Sequence, residues 1–203
     1  MTIRAVIFDF GGVIGDGGEE AARTLDRQYG LPEGSIWRAF YKGQQWNQLK
    51  IGGGSFDAWH EEVQASLATA AGRPLPEVWQ DWIEYQRRIR EEMVELVRSL
   101  RGKYKVGLLS NATVHLEDAL ENRHGIMSLF DVVVNSARVA MAKPDSRIFA
   151  LTAERLGVAP SECVFIDDLP ANVRAAAEAG MHAVQFTSYP QLLEDLRRLG
   201  VAC

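Results

Sequence analysis

The chain has 203 residues, 47% of them hydrophobic, 9% aromatic and 24% charged; that is the length of one large domain, or of one domain carrying an insertion, and the composition excludes disorder, collagen and coiled coil. A net charge of −5 argues against nucleic acid or an anionic membrane surface as partner. Cys163 and Cys203 show neither metal-ligand spacing nor a disulfide framework, the start reaches Asp9 too soon for a signal peptide, and no run approaches ~18 apolar residues, so a soluble protein of the reducing cytoplasm is expected.

In chain order, the first apolar run, Ile3–Phe10, reads as a buried strand, brief and rich in Val, Ile and Phe. The glycine-rich run Gly11 to Gly18 follows it. It fits neither G-x-G-x-x-G nor a Walker loop, and is expected to give the chain freedom to leave one domain and enter another. From Asp16 to Arg90 the pattern is helical. Phe56, Trp59, Val63 and Leu67 form one apolar face behind Ser55 as N-cap, and Val78, Trp79, Trp82, Ile83 and Ile89 mark another. All five tryptophans fall in this stretch and are expected chiefly to build its core, with Gly52-Gly53-Gly54 as a turn. After a helix around Glu91–Arg101, strands at Lys105–Leu109, Asp131–Asn135, Cys163–Ile166 and Ala183–Phe186 alternate with helices at Thr113–His124, Asp145–Leu156, Ala171–Ala179 and Gln191–Leu199. Gly125, Gly157, Gly180 and Gly200 act as helix stops.

Strand alternating with helix predicts an α/β fold, a Rossmann-like doubly wound parallel sheet, here with an inserted helical cap. The expected division is 1–15 and 91–203 for the discontinuous core and 16–90 for the cap. Ligands of such sheets bind at the carboxyl ends of the strands. Four strand ends carry chemistry: Asp9-Phe10-Gly11-Gly12, Ser110-Asn111, Lys143-Pro144-Asp145 ahead of a helix, and Asp167-Asp168 with Asn172. Each alone reads as a helix cap; a parallel sheet gathers all four at one edge.

Three carboxylates meeting there would repel unless a cation lay among them, and hard oxygen donors with room for water suit Mg²⁺. A lysine and a hydroxyl beside that cation, with helix N-termini near, suit a phosphoryl group, and Asp9 is placed to attack phosphorus. The remaining polar groups read blandly. His60, His115, His124 and His182 share no metal spacing and are expected at the surface or at helix ends, Arg87-Arg88-x-Arg90 on a solvated helical face, and Cys163 buried in its strand.

Asp9-x-Gly11-Gly12-Val13, Leu109-Ser110-Asn111, Lys143-Pro144-x-x-x-Ile148-Phe149 and Asp167-Asp168-x-x-x-Asn172 resemble, in order, the four motifs of the haloacid dehalogenase-like superfamily. Trp46, Gly52 and the cap resemble its branch containing the epoxide-hydrolase N-terminal phosphatase domain and bacterial sugar-phosphate phosphatases. The resemblance implies a Mg²⁺-dependent phosphohydrolase acting on a small phosphorylated metabolite. In it Asp9 is nucleophile and metal ligand, Ser110 and Lys143 hold the phosphoryl group, Asn111 and Gly12 join them in binding substrate, and Asp168, Asp167 and the Gly11 carbonyl complete the metal site, with Asp168 direct and Asp167 through water. The family commonly has a second Asp where this chain has Gly11. Two alternatives follow from the same residues: a metal-independent haloacid dehalogenase, and a catalytically weak phosphate-binding or regulatory protein.

Overall fold

The computed structural model describes residues 2–202; Met1 and Cys203, the second cysteine, lie outside the described residues. In chain order the elements are β1 (Ala5–Phe8), α1 (Glu19–Tyr29), α2 (Ser35–Tyr41), α3 (Gln44–Leu49), α4 (Phe56–Ala71), α5 (Glu77–Gln86), α6 (Glu91–Leu100), β2 (Lys105–Ser110), α7 (Leu116–Asp118), β3 (Val132–Asn135), α8 (Ser136–Val139), α9 (Ser146–Leu156), β4 (Cys163–Asp167), α10 (Pro170–Glu178), β5 (His182–Gln185) and α11 (Tyr189–Arg198). The five strands form one sheet in the order β3-β2-β1-β4-β5, parallel at every pairing. All five strands expected from sequence are therefore present, in the α/β doubly wound arrangement. Chain connections run to opposite sides of β1, so its carboxyl end, where Phe8 pairs with Leu108 and Ile166, lies at the crevice where the strand order reverses.

The period of two in β1 sorts its side chains between two layers. Val6 and Phe8 pack with Met93, Leu100, Leu108 and Leu196; Ala5 and Ile7 pack on the opposite face with Phe149, Phe165 and Ala176. A third cluster, with Leu25, Phe40, Trp59, Leu67 and Trp82, is drawn entirely from α1–α5 and the turns between them. The inserted helices thus carry a core of their own, and aromatic rings dominate it: Phe40 lies 4.9 Å from Trp82 and 5.4 Å from Trp79 between centroids.

Caps follow local chemistry. Ser55 Oγ accepts from the Ala58 N–H at 3.4 Å ahead of α4, and Asp145 accepts from the Arg147 N–H at 3.0 Å ahead of α9. Two expectations change. Ile89 does not sit on the α5 face; it follows the helix, bridges Gly15 and packs against the sheet core. The helix expected over Thr113–His124 is one short turn, α7, widening into a π-helical turn at Ala119–Arg123. Such turns commonly reshape a helix beside a functional site.

The two passages between sheet and inserted helices pair with each other. The Asp16 N–H donates to the Arg88 carbonyl at 3.0 Å and the Arg90 N–H to the Ile14 carbonyl at 2.8 Å. Arg90 then reaches across, donating to the carbonyls of Val13 and Gly15 at 3.1 and 3.0 Å and pairing with Asp16 at 3.3 Å. It is therefore a clamp at the junction, where a solvated face was expected from its arginine-rich run.

Candidate active site

Asp9 leaves β1 with its N–H bonded to the Ile166 carbonyl at 2.9 Å. Its Oδ1 accepts from the Phe10 N–H at 2.7 Å and pairs with Lys143 Nζ at 2.9 Å, while Oδ2 has no hydrogen-bond partner among the described residues. Lys143 is 2% exposed and spends its remaining donors on Asp167 Oδ2 at 2.6 Å and the Leu109 carbonyl at 3.1 Å. One ammonium therefore links the ends of β1, β2 and β4. Asp167, fully buried, also accepts from the Leu169 N–H at 2.9 Å and from Asn172 Nδ2 at 3.0 Å on each oxygen. Asp167, expected to reach a metal through water, has a carboxylate oxygen within 4.8 Å of those of Asp9 and Asp168, and these donors fit it to hold Lys143 as well.

Lys143 is fixed from behind by Asn111, whose Nδ2 donates to the Lys143 carbonyl at 2.9 Å and whose Oδ1 accepts from the Lys143 N–H at 2.8 Å. The Asn111 amide, expected to bind substrate, is thus occupied with the lysine backbone. The neighbouring Ser110 hydroxyl is different: 4% exposed, lining the cavity, with no hydrogen-bond partner among the described residues, it is open to a ligand. Two residues that sequence reasoning passed over pin this loop. Ser136 Oγ accepts from the Ala112 N–H at 3.0 Å, and Asn135 Nδ2 donates to the Thr113 carbonyl at 2.8 Å. Only the parallel register of β2 with β3, which places Asn135 opposite Ser110, brings them there.

The glycine run serves close approach more than slackness. Gly12 has φ +77°, and a Cβ there would stand 2.3 Å from Asp168 Oδ2. Its N–H is bonded to the Gly15 carbonyl at 3.0 Å and it does not line the cavity, so Gly12, expected among the substrate-binding residues, instead forms the wall against which Asp168 rests. Gly17 and Gly18 are equally tight: a Cβ would lie 2.2 Å from Gln86 Nε2 at the first and 2.8 Å from Gly12 Cα at the second. Gly11 lines the cavity and its carbonyl accepts no bond from the described residues. Gly12→Ala is expected to cost about 1–2 kcal/mol from the left-handed backbone alone, and more from displacing Asp168. Urea denaturation measures the loss, and an unchanged midpoint would contradict the close contact.

Carboxylate oxygens of Asp9, Asp167 and Asp168 lie within 4.8 Å of one another, with Lys143 as the only ion-pair partner they have among the described residues. Burial pushes Asp9 up to about 7, Lys143 pulling it down and Asp167 pushing it up. Asp168 is pushed up to about 8 by burial and then by Asp9 and Asp167. Lys143 is itself held above its ordinary value: burial acts to lower it, and Asp167 and Asp9 prevail. This is an excess of negative charge with unengaged oxygens on Asp9 and Asp168 beside the Gly11 carbonyl, a donor set that fits a hard divalent cation.

A pH dependence follows for the metal-free protein. Asp9 and Asp168 keep their protons in the folded chain where an ordinary carboxyl, at 3.8, has lost its own. Their contribution to stability is therefore full below the unfolded value and is lost as pH rises through about 7 to 8. With a chelator present, the urea midpoint is expected to fall from about pH 5 to about pH 8, and a rise over that interval would count against these environments.

Above the carboxylates lies a cavity of about 570 Å³, shared between the strand ends and the inserted helices. Trp46, Trp59 and Trp82 are buried and face it, so these tryptophans serve the core and the cavity together. Phe56, expected on the buried face of α4, stays 41% exposed at the cavity wall. His115 and His124, expected at the surface or at helix ends, do stand at helix ends, and both line the cavity. His124 packs 5.7 Å from Phe10, and burial together with Arg123 holds its imidazole below its ordinary pKa. The π-helical turn is what presents Arg123 and His124 to this space, and no periodicity in the sequence announces it.

A family model described as haloacid dehalogenase-like hydrolase matches residues 3–180. Curated relatives include mouse Acyl-CoA dehydrogenase family member 10, 29% identical over 98% of this chain. Pig Bifunctional epoxide hydrolase 2 is 26% identical and Phosphatase MT3486 of Mycobacterium tuberculosis 28%, each over 98% of this chain. The chain spans 19% and 39% of the length of the first two and 96% of the third. Among solved structures, a predicted HAD-like family hydrolase from Porphyromonas gingivalis superposes with TM-score 0.69 and 27% identity, each chain fully covered. A HAD family enzyme from Bacteroides thetaiotaomicron, in complex with magnesium and inorganic phosphate, gives 0.64 and 23%, over 94% of this chain and 98% of that one. No helix among the described residues is long and apolar enough to cross a membrane.

Proposed function

The chain belongs to the haloacid dehalogenase-like hydrolases, and within that family we propose that it is a capped, Mg²⁺-dependent phosphatase of small phosphorylated metabolites. The observation that carries this reading is that a free Asp9 Oδ2 and an unengaged Ser110 hydroxyl line one cavity, beside a lysine that neutralises the same carboxylate. Asp9 Oδ2 forms the new bond to phosphorus as the bond to the leaving oxygen breaks, and that oxygen departs with the electron pair. The phosphoryl group now carried on Asp9 is then hydrolysed by water, which restores the carboxylate and releases phosphate. Ser110 donates to a phosphoryl oxygen, and Lys143 balances charge on Asp9 throughout. Asp168, Asp9 and the Gly11 carbonyl would hold Mg²⁺, which when bound supplies positive charge to the phosphoryl oxygens. The inserted helices act as the cap that excludes water from the first step.

Gly11 leaves no carboxylate where the leaving oxygen needs a proton, and a positioned acid is worth about 10²–10⁴ in rate. Phosphate release measured across acyl, aryl and alkyl monoesters is therefore expected to be at least about a hundredfold slower for the alkyl esters. It is also expected to fall to background with a chelator. Equal rates across leaving groups would contradict the role given to Gly11; release indifferent to Mg²⁺, or none at all, would overturn the proposed function.

A further inference from the structure

The cavity extends well past the phosphoryl site. Its volume of about 570 Å³ falls in the range of about 300–1,000 Å³ that encloses a ligand of many heavy atoms, whereas the strand ends engage one phosphoryl group. Beside the side chains of α4, α5 and the segment after β2, part of the remaining lining comes from α2, α3 and the residue just after each, in an ordered series. Trp37 lies 4.4 Å from Tyr41, and Tyr41 meets Trp46 edge-on at 4.9 Å, centroid to centroid. Tyr41 lines the same cavity as Asp9 and Asp168, so this aromatic wall faces the space above the carboxylates.

Beyond the wall stand Lys42 and Lys50, both lining the cavity, and neither ammonium has a hydrogen-bond or ion-pair partner among the described residues. Lys50 follows Trp46 by one helical turn, its N–H on the Trp46 carbonyl at 3.0 Å. It is half-buried, and its pKa is lowered by burial and by Lys42. Both lysines line the same cavity as the carboxylates. A half-buried Lys50 without a counter-charge, with the exposed Lys42 adding a second positive charge, favours an anion in this part of the cavity.

We propose that the substrate is a phosphate monoester whose leaving group has a flat apolar body and a second anionic group, the body lying against Trp37, Tyr41 and Trp46 and the anion reaching Lys42 and Lys50. The assignment rests on the phosphatase reading for its first half only. It is also consistent with Gly11, because an aromatic leaving oxygen departs with less help from an acid.

The test compares 2-naphthyl phosphate with 6-(phosphonooxy)-2-naphthoate, measuring kcat/KM by phosphate release in the wild type, Lys50→Gln and Lys50→Arg. The wild type is expected to favour the carboxylated ester, the preference ratio to fall roughly tenfold in Lys50→Gln, as for loss of a charged hydrogen bond, and to be kept in Lys50→Arg. In parallel, binding of 2-naphthoate is followed by calorimetry in the wild type and Lys50→Gln. A ratio unmoved by Lys50→Gln overturns the anion subsite and leaves the phosphatase standing. Lys50-dependent naphthoate binding with no phosphate release from either ester overturns the phosphatase and leaves the subsite.

Discussion

Asp9→Asn is expected to cut phosphate release by at least about a thousandfold, because an amide oxygen forms no stable bond to phosphorus and no neighbouring carboxylate can take its place. Asp167 is held by Lys143, Asn172 and the Leu169 N–H, and Asp168 rests against Gly12. The substitution keeps the shape of the side chain. Asparagine can still accept from Phe10 and Lys143 through Oδ1, and it removes one of three crowded carboxylates, so the variant should be no less stable than the wild type. Phosphate release and urea denaturation on the same preparation separate the two effects. Retention of more than a tenth of the activity would exclude Asp9 as the group that carries the phosphoryl.

Lys143→Met should act on stability as much as on rate. Asp9 and Asp167 are 6% and 0% exposed, and Lys143 is the only cation within ion-pair distance of either among the described residues. Removing one partner of a buried pair costs about 3–5 kcal/mol, because the remaining charge is left in a medium that does not solvate it. That loss is expected in urea denaturation at neutral pH without metal. Adding Asp167→Asn to Lys143→Met should recover part of it, since the Asn172 and Leu169 contacts can persist with an amide. A loss below about 1 kcal/mol would contradict the role given to Lys143 as the charge partner of this buried pair.

The site was legible in sequence to the extent that backbone topology alone determines it. Asp9, Ser110 and the Asp167-Asp168 pair stand at or just past strand ends, which a parallel sheet brings together; Lys143 stands past α8, ahead of α9, and its place is set by the loop that Asn111 holds. What was not legible depends on contacts between chains of atoms distant in sequence. Asn135 and Ser136 matter because register sets them beside the loop after β2; Gly12 matters because Asp168, over 150 positions later, presses against it. The division of labour within the acidic pair has the same origin. The resemblance sets Asp168 as direct ligand and Asp167 behind water, but only the hydrogen bonds around Asp167 reveal its contact with the lysine. His124 and Arg123 escaped because a wide helical turn leaves no mark in the apolar period.

The paired passages at Gly15 and Ile89 bear on how such a protein can change over time. The inserted helices leave and rejoin the sheet at neighbouring points, stitched by backbone hydrogen bonds and by Arg90. Seen from the sheet, those helices occupy one small opening whatever their number or length, and the register of β1 with β2, from Ala5 with Lys105 onward, does not pass through them. Helices could lengthen, shorten or be exchanged wholesale without moving Asp9 relative to Lys143. Recognition of the leaving group, written in Trp37, Trp46 and Lys50, is thereby free to diverge under one unchanging piece of chemistry.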